Sequence, residues 1–309
     1  MALIKPAVKL IVRESRRLKL LGPVLSLGVP EVYATYDELR HWLEGFHGET
    51  SRIGPDEATL SQNKFGRRLG WVDARTFLKV MGIDTFHSLD LPGSEYGADI
   101  YHDLNEPLPA QWHGNYQLVL DPGTLEHVFD VRTCLENIVR ALAVGGIIIH
   151  LVPIYSYNGG YYSINPNVLT DFYRVNGFSD LTSYVIMWDR YRPFTTRSTR
   201  CYRYREDMLG SRHALTEADQ VRYAPHLLTF ARKSNDSANI VIPLQFGGQY
   251  VAEAAALGPT RSQTLEQVGR RWAARLQRFL PLEPALYIQT AAYRRLTRWR
   301  ARRTAGFWI

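Results

Sequence analysis

This sequence of 309 residues is poor in cysteine and has no long apolar run. Its two cysteines, Cys134 and Cys201, lack both CxxC spacing and histidines at metal-ligand distance, so we expect no metal and no disulfide framework. No apolar run approaches the ~20 residues that span a bilayer. Charges scattered from Met1 to Lys19 exclude the apolar core of a signal peptide. These absences predict a cytoplasmic protein.

A glycine-rich phosphate loop is also missing. No GxGxxG motif follows the first predicted strand, Val24 to Gly28, which disfavours nicotinamide or nucleotide-sugar binding. The composition, 45% hydrophobic and 22% charged, is that of a globular protein and excludes a disordered one.

The net charge of +7 is concentrated at the two ends of the chain. Six basic residues oppose one acid between Met1 and Leu21, and eleven arginines oppose two glutamates between Arg261 and Arg303. The middle is therefore acidic, which argues against a nucleic-acid enzyme with a basic catalytic face. The basic ends could instead contact an anionic membrane surface or an acidic partner, or could pack on the core with their charges in water.

Three regions follow from composition and periodicity. Residues 1–22 predict a basic amphipathic helix that stops at Gly22-Pro23, residues 23–234 a core domain, and residues 235–309 a basic helical C-terminal extension. Within the core, Gly45 to Gly70 is a polar insertion. The expected strands are 24–28, 85–89, 99–102, 116–120, 147–152, 183–187 and 226–231, and the expected helices are 36–43, 74–81, 131–142 and 168–175.

The segment from Tyr116 to Pro153 predicts a strand, a loop, a helix ended by Gly145-Gly146, and a second strand. The second strand begins Ile147-Ile148-Ile149 and is apolar on both faces, which is typical of a parallel sheet covered on both sides. In such sheets ligands bind outside the carboxyl ends of the strands. The loop 121–127 is therefore where chemistry is expected.

That loop carries a recognisable motif. The segment Asp-Pro-Gly-Thr-Leu-Glu-His-Val at 121–128, followed by Gly145-Gly146, resembles class I S-adenosylmethionine-dependent methyltransferases. Together with this segment, the sequence from Gly97 to Pro109 resembles a bacterial small-molecule subgroup of that family. The resemblance covers residues 23–232. It implies an α/β fold: a Rossmann-like, doubly wound, mostly parallel seven-stranded sheet whose last two strands include an antiparallel one, with helical N- and C-terminal extensions.

The resemblance also implies S-adenosylmethionine as the cofactor. It places Gly28 at the first turn, Asp90 on the ribose and Asp103 on the adenine amino group. The sequence departs from the family at Leu27-Gly28-Val29-Pro30-Glu31, which keeps one glycine of the usual GxGxG. Each aspartate could alternatively cap its own turn, and Gly28 could serve only the backbone. The full set of expected cofactor residues is Leu27, Gly28, Asp90, Leu91, Asp103, Leu104, Asp121, Gly123 and Thr124.

His127 is the candidate general base, because methyl transfer to oxygen gains from removal of the acceptor proton and histidine can do this near neutral pH. The alternative is that His127 only fastens the loop, with Glu126 orienting it or contacting the cofactor region. Tyrosines after the fifth strand should shape a small-molecule or glycan acceptor site. The expected acceptor residues are Tyr155, Asn158, Tyr161 and Tyr162. A different class of function is a non-catalytic scaffold that has lost cofactor binding.

Overall fold

The computed structural model describes residues 1–156, 159–196, 199–204, 222–236, 240–243 and 307–308. Contacts along the chain define one unit of residues 1–203, 217–242 and 307–309. A second unit, residues 204–216 and 243–306, lies almost wholly outside the described residues. The predicted C-terminal helices fall there, so the C-terminal extension stays a prediction.

A mixed sheet is the centre of the first unit. From one edge to the other its strands are β11 (Phe307–Trp308), β9 (Arg200–Arg203), β8 (Phe178–Asp189), β10 (Tyr223–Lys233), β7 (Leu142–Pro153), β6 (Tyr116–Asp121), β2 (Val24–Leu27), β4 (Phe86–Asp90) and β5 (Ile100–Tyr101). The pairs from β5 to β7 are parallel, and β10 is antiparallel to both β7 and β8.

This topology confirms the expected fold class, a doubly wound and mostly parallel sheet with a late antiparallel strand. It has nine strands among the described residues rather than seven, because β9 and β11 extend the edge beyond β8. The sequence analysis predicted neither of these two short strands.

Helices cover both faces of the sheet. The first buried cluster contains α1 (Lys5–Leu18), α2 (Tyr36–His47) and α4 (Ala74–Val80), and the second contains α5 (Val131–Ala141) and α6 (Pro166–Val175). Successive residues of β2 alternate between them, since Val24 lies in the first cluster and Leu25 in the second. Burial on both faces explains why β2, β6 and β7 are apolar runs rather than alternating ones.

The N-terminal helix is part of this core. Residues such as Leu10 and Ile11 of α1 are 1% exposed within the first cluster, and Glu14 is buried where it accepts hydrogen bonds from Arg13, Arg17 and Tyr184. The apolar face of α1 therefore covers the sheet and is not available to a membrane. No helix in the described part of the chain is long and apolar enough to cross a bilayer.

The predicted helix stop at Gly145-Gly146 is wrong. Helix α5 ends at Ala141, and β7 begins at Leu142, so both glycines lie inside the strand. Leu142 pairs with Tyr116, and the β6–β7 register shifts between Tyr116 and Leu118. A Cβ at Gly146 would lie 3.0 Å from the Tyr116 carbonyl oxygen. The glycine is needed here because the two backbones approach closely at the irregularity.

Two shorter features also frame the carboxyl edge of the sheet. Strand β1 (Ala2–Leu3) pairs in parallel with β3 (Glu31–Val32), directly after the first turn. The insertion includes α3 (Lys64–Arg68) and makes an isolated antiparallel bridge between Leu60 and Val72. Neither pairing was expected from the sequence, because each strand is too short to show a period.

Candidate active site

The turns after β2 and β6 are tied together at the carboxyl edge of the sheet. The Thr124 hydroxyl donates a hydrogen bond to the Leu27 carbonyl oxygen. The next residue, Gly28, has φ +88°, and its backbone amide donates to the Leu89 carbonyl oxygen at 2.6 Å. The structure thus brings together three of the residues expected to hold a cofactor, and it joins them to the end of β4.

A cavity of about 420 Å³ opens beside these turns. Asp90, at the end of β4, contributes to its wall together with Val29, Ser94 and Tyr96. The Asp90 carboxylate accepts hydrogen bonds from the Leu91 amide and the Ser94 hydroxyl, both at 2.8 Å. Each carboxylate oxygen still has a free lone pair, and the volume is within the range of small-molecule sites. Asp90 can therefore contact a ligand in this cavity.

The other predicted residues of the β4 and β5 turns are placed differently. Asp103 is exposed and caps its own turn by accepting from the Asn105 amide at 2.9 Å, a hydrogen bond that lowers its pKa. It does not line the cavity. Leu104 is buried in the second apolar cluster, and Leu91 is exposed. Of the three predicted acids, Asp90, Asp103 and Asp121, only Asp90 lines the cavity.

The side chain of Met1 lies at the wall of the cavity beside Asp90. Pairing of β1 with β3 directs it there, and its Sδ atom is 2.6 Å from the Thr124 hydroxyl oxygen. A Cβ built on Gly28 would overlap the Met1 side chain. Met1 thus covers the one glycine of the first turn, and a ligand that reaches Gly28 must displace it.

A second cavity, of about 310 Å³, adjoins the first and shares Val29, Glu31 and Tyr96 with it. Ser61 and Gln62 of the insertion line this space together with the ion-paired residues Arg75 and Asp99. Residues of the insertion therefore form part of the wall of this second cavity.

The turn after β6 is held by a buried hydrogen-bond network. Asp121 is 0% exposed, and its Oδ1 atom accepts from the Thr124 and Leu125 amides at 2.7 and 3.2 Å. Its Oδ2 atom is 2.6 Å from His150 Nδ1, and His150 Nε2 is 2.6 Å from the Tyr173 hydroxyl. Because a carboxylate only accepts, His150 Nδ1 donates to Asp121 and carries a proton. Burial and then the Asp121 charge raise the pKa of Tyr173, which keeps its phenol protonated.

This network decides the role of Asp121. The sequence analysis placed it among the cofactor residues, but its carboxylate is enclosed and both oxygens already accept from protein groups. Asp121 instead fixes the shape of the turn that carries Gly123, Thr124, Glu126 and His127. A fixed turn is what positioned catalytic side chains require.

Glu126 and His127 follow in a short 3₁₀ turn, Leu125–His127. Glu126 is buried, and its Oε2 atom has no hydrogen-bond partner among the described residues. Burial and then the nearby Asp121 charge raise the pKa of Glu126 to about 8. His127 is exposed, and no hydrogen bond of its ring is seen in the described structure. Partial burial lowers the pKa of His127 below 6.5. At neutral pH the turn thus presents a mostly protonated acid and an unprotonated imidazole.

The tyrosine loop packs on this turn. The backbone amides of Tyr161 and Tyr162 donate to the Glu126 carbonyl oxygen at 2.8 and 3.2 Å. Their rings and that of Phe129 form an aromatic group with centroids 5.5 to 6.4 Å apart. Tyr155 is half-buried. Asn158, the fourth predicted acceptor residue, lies outside the described residues.

Three residues of the site were not found from the sequence. His150 and Tyr173 had a detectable signal, because a histidine within Ile147-Ile148-Ile149-His150-Leu151-Val152 is a polar group in a doubly buried strand and needs partners. Met1 gave no such signal, since its position depends on the β1–β3 pairing.

No family model and no curated protein matches the sequence. Solved structures do resemble the fold. A methyltransferase from Archaeoglobus fulgidus is 12% identical with a TM-score of 0.37, over 73% of this chain and 94% of that one. A possible histamine N-methyltransferase from Thermotoga maritima is 12% identical with a TM-score of 0.34, over 73% and 89%. A branched-chain polyamine synthase from Thermus thermophilus is 15% identical with a TM-score of 0.30, over 78% and 61%. At these values the fold class depends on the strand order described above.

Proposed function

We propose that this protein is an S-adenosylmethionine-dependent methyltransferase that methylates an oxygen of a small molecule or glycan, in bacterial cell-surface or specialised metabolism. One observation supports this most strongly. A cavity walled by Asp90 is also lined by Met1 and by Val29, the residue after Gly28, and it lies at the same sheet edge as the turn that presents Glu126 and His127.

The residues present fit an adenosyl group. Asp90 offers carboxylate lone pairs at a strand end, where a ribose binds in Rossmann-like sheets. Gly28 has no Cβ, and the space that a Cβ would fill is taken by the movable side chain of Met1 rather than by backbone. Asp90 and Gly28 would therefore hold the cofactor, with Leu27 and Thr124 at the turn.

When bound, S-adenosylmethionine supplies an electrophilic methyl group on a sulfonium sulfur. His127 removes the proton of the acceptor hydroxyl at an unprotonated ring nitrogen, and it is suited to this because its pKa is lowered. Asp121 and His150 keep the turn in place during this step. Tyr161 and Tyr162 flank the turn and provide flat faces for the acceptor.

Calorimetric titration with S-adenosylhomocysteine tests whether the protein binds the cofactor and whether Asp90 contacts it. We expect the wild type to bind, and we expect Asp90→Ala to weaken binding about ten- to a hundredfold, since a hydrogen bond to a charged group contributes about 1.5–3 kcal/mol. Asp84→Ala is the matched control, because Asp84 is exposed before the opposite end of the same strand. Equal affinities of the two variants would reject Asp90 as the seat.

The alternative is a non-catalytic scaffold. Two observations favour it: the Met1 side chain covers Gly28, and Asp90 and Asp103 both accept hydrogen bonds inside their own turns. Ligand at about a hundred times its dissociation constant stabilises a fold by roughly 2.7 kcal/mol. If S-adenosylmethionine and S-adenosylhomocysteine leave the melting temperature unchanged at millimolar concentration, the scaffold is the correct function.

A further inference from the structure

The Glu126 side chain is enclosed between the turn after β6 and the loop after β7. It is 5% exposed. A Cβ at Gly123 would lie 3.1 Å from Oε1, and a Cβ at Gly160 would lie 3.0 Å from Cγ. Gly123 thus makes room for the carboxyl group, and Gly160 makes room for the Glu126 backbone as well, since a Cβ at Gly160 would lie 2.6 Å from the Glu126 carbonyl oxygen. The carboxyl group lies where the turn that carries His127 meets the predicted acceptor loop.

The carboxyl group lacks a partner that its position requires. Its Oε2 atom makes no hydrogen bond to any described residue. The structure shows no hydrogen bond from Glu126 to Asp121, whose oxygens accept from Thr124, Leu125 and His150. A buried polar group without a partner costs about 1–3 kcal/mol. A buried group without a partner calls for an explanation, such as a catalytic role or a bound ion.

The surroundings indicate the charge of that ligand. The charges that act on the Glu126 carboxyl are Asp121, which raises its pKa, and the Met1 amino group, which lowers it. His127 is the next residue of the same turn, and Tyr161 and Tyr162 pack on the turn through backbone hydrogen bonds to the Glu126 carbonyl oxygen. The cavity beside Asp90, at the same edge of the sheet, is lined by Met1, Glu31, Asp90 and Glu95 and by no described lysine or arginine, and Glu126 itself is not among its lining residues. Aromatic faces and carboxylates together favour ammonium groups.

We propose that the acceptor carries a protonated primary amine and that the Glu126 carboxylate binds it, while a neighbouring hydroxyl of the acceptor faces His127. Amino sugars and amino alcohols have this chemistry. The inference depends on the proposed function and narrows its acceptor class. Glu126 is here a positioning residue that holds the acceptor by its amine.

The same chemistry has a second source, the amino group of the cofactor. Comparing S-adenosylhomocysteine with 5′-methylthioadenosine, which lacks the amino-acid part, separates the two. If Glu126→Gln weakens the binding of S-adenosylhomocysteine but not that of 5′-methylthioadenosine, Glu126 binds the amino group of the cofactor, and the acceptor proposal is wrong. We expect both nucleosides to bind the variant within about threefold of wild type.

The acceptor is tested by measuring the binding of matched compounds in the presence of S-adenosylhomocysteine. Ethanolamine is compared with ethylene glycol, and glucosamine is compared with N-acetylglucosamine. We expect each amine to bind wild type at least tenfold more tightly than its neutral counterpart. Glu126→Gln should remove that preference, and Glu126→Asp should reduce it because the carboxyl is withdrawn by one methylene. Glu106→Gln is the charge control, since Glu106 is exposed.

Binding of an amine should also release a proton. Since burial raises the pKa of Glu126 to about 8, the group must lose its proton to pair with an ammonium. Apparent affinity should rise about tenfold from pH 6 to pH 7 in wild type and stay flat in Glu126→Gln. His127→Gln should keep the rise, which assigns it to Glu126. If nucleoside binds but no amine is preferred over its neutral counterpart, this inference fails while the proposed function stands. If no nucleoside binds, the proposed function itself fails.

Discussion

Two strands of the parallel sheet end in aspartate, and the two aspartates are used differently. Asp90, at the end of β4, is half-buried, bonds within its own turn and forms a cavity wall. Asp121, at the end of β6, is fully buried and bonds to two backbone amides and to His150. The same residue type at equivalent sheet positions is therefore available to a ligand in one case and committed to the fold in the other. Burial and partners decide which.

The strongest test of this difference is unfolding stability. Asp121→Asn breaks a buried pair and leaves His150 without its carboxylate, so we expect a loss of about 3–5 kcal/mol. Asp90→Asn should cost about 1 kcal/mol or less, because the group is half-buried and the amide oxygen can still accept. Urea unfolding monitored by tryptophan fluorescence measures both. Similar losses for the two variants would mean that the aspartates share a structural role.

A second test concerns the turn that Asp121 holds. If His127 is the general base, His127→Ala should slow methyl transfer by about a hundredfold. The unprotonated imidazole is the active form, so wild-type kcat/KM should fall as pH drops through a pKa below 6.5, and this limb should vanish in the variant. His127→Asn controls for side-chain volume. Unchanged turnover in both variants would leave the histidine only a local structural role.

The smallest expected effect concerns the crevice beside Asp90. Met1 must leave Gly28 before a ligand can reach it, so a chain with Met1→Gly, made by protease release of a leader, should bind S-adenosylhomocysteine about three- to tenfold more tightly. Leu3 is unchanged in this variant and can still pair with Val32 of β3, so the fold around the first turn should be retained. Weaker binding in this variant would show that the Met1 side chain contributes to the ligand site instead.

The contrast between the two histidines shows how far sequence reasoning reached. His127 was found because it belongs to a recognisable motif, and the structure places it exposed on the expected turn. His150 was passed over inside an apolar strand, although it is the residue that Asp121 contacts. A motif identifies residues by their neighbours along the chain. The hydrogen bond between Asp121 and His150 instead joins two strands and two residues that are distant in sequence.

The local order of strands and helices, the apolar runs of a doubly covered sheet and the Glu-His turn were all determined by the sequence, because periodicity and turn residues act within a few positions. Tertiary structure alone decided that Gly145-Gly146 lies inside a strand, that the N-terminal helix is core, and that Met1 covers Gly28. These outcomes depend on which backbones approach each other across the sheet, and no local pattern in the chain encodes that approach.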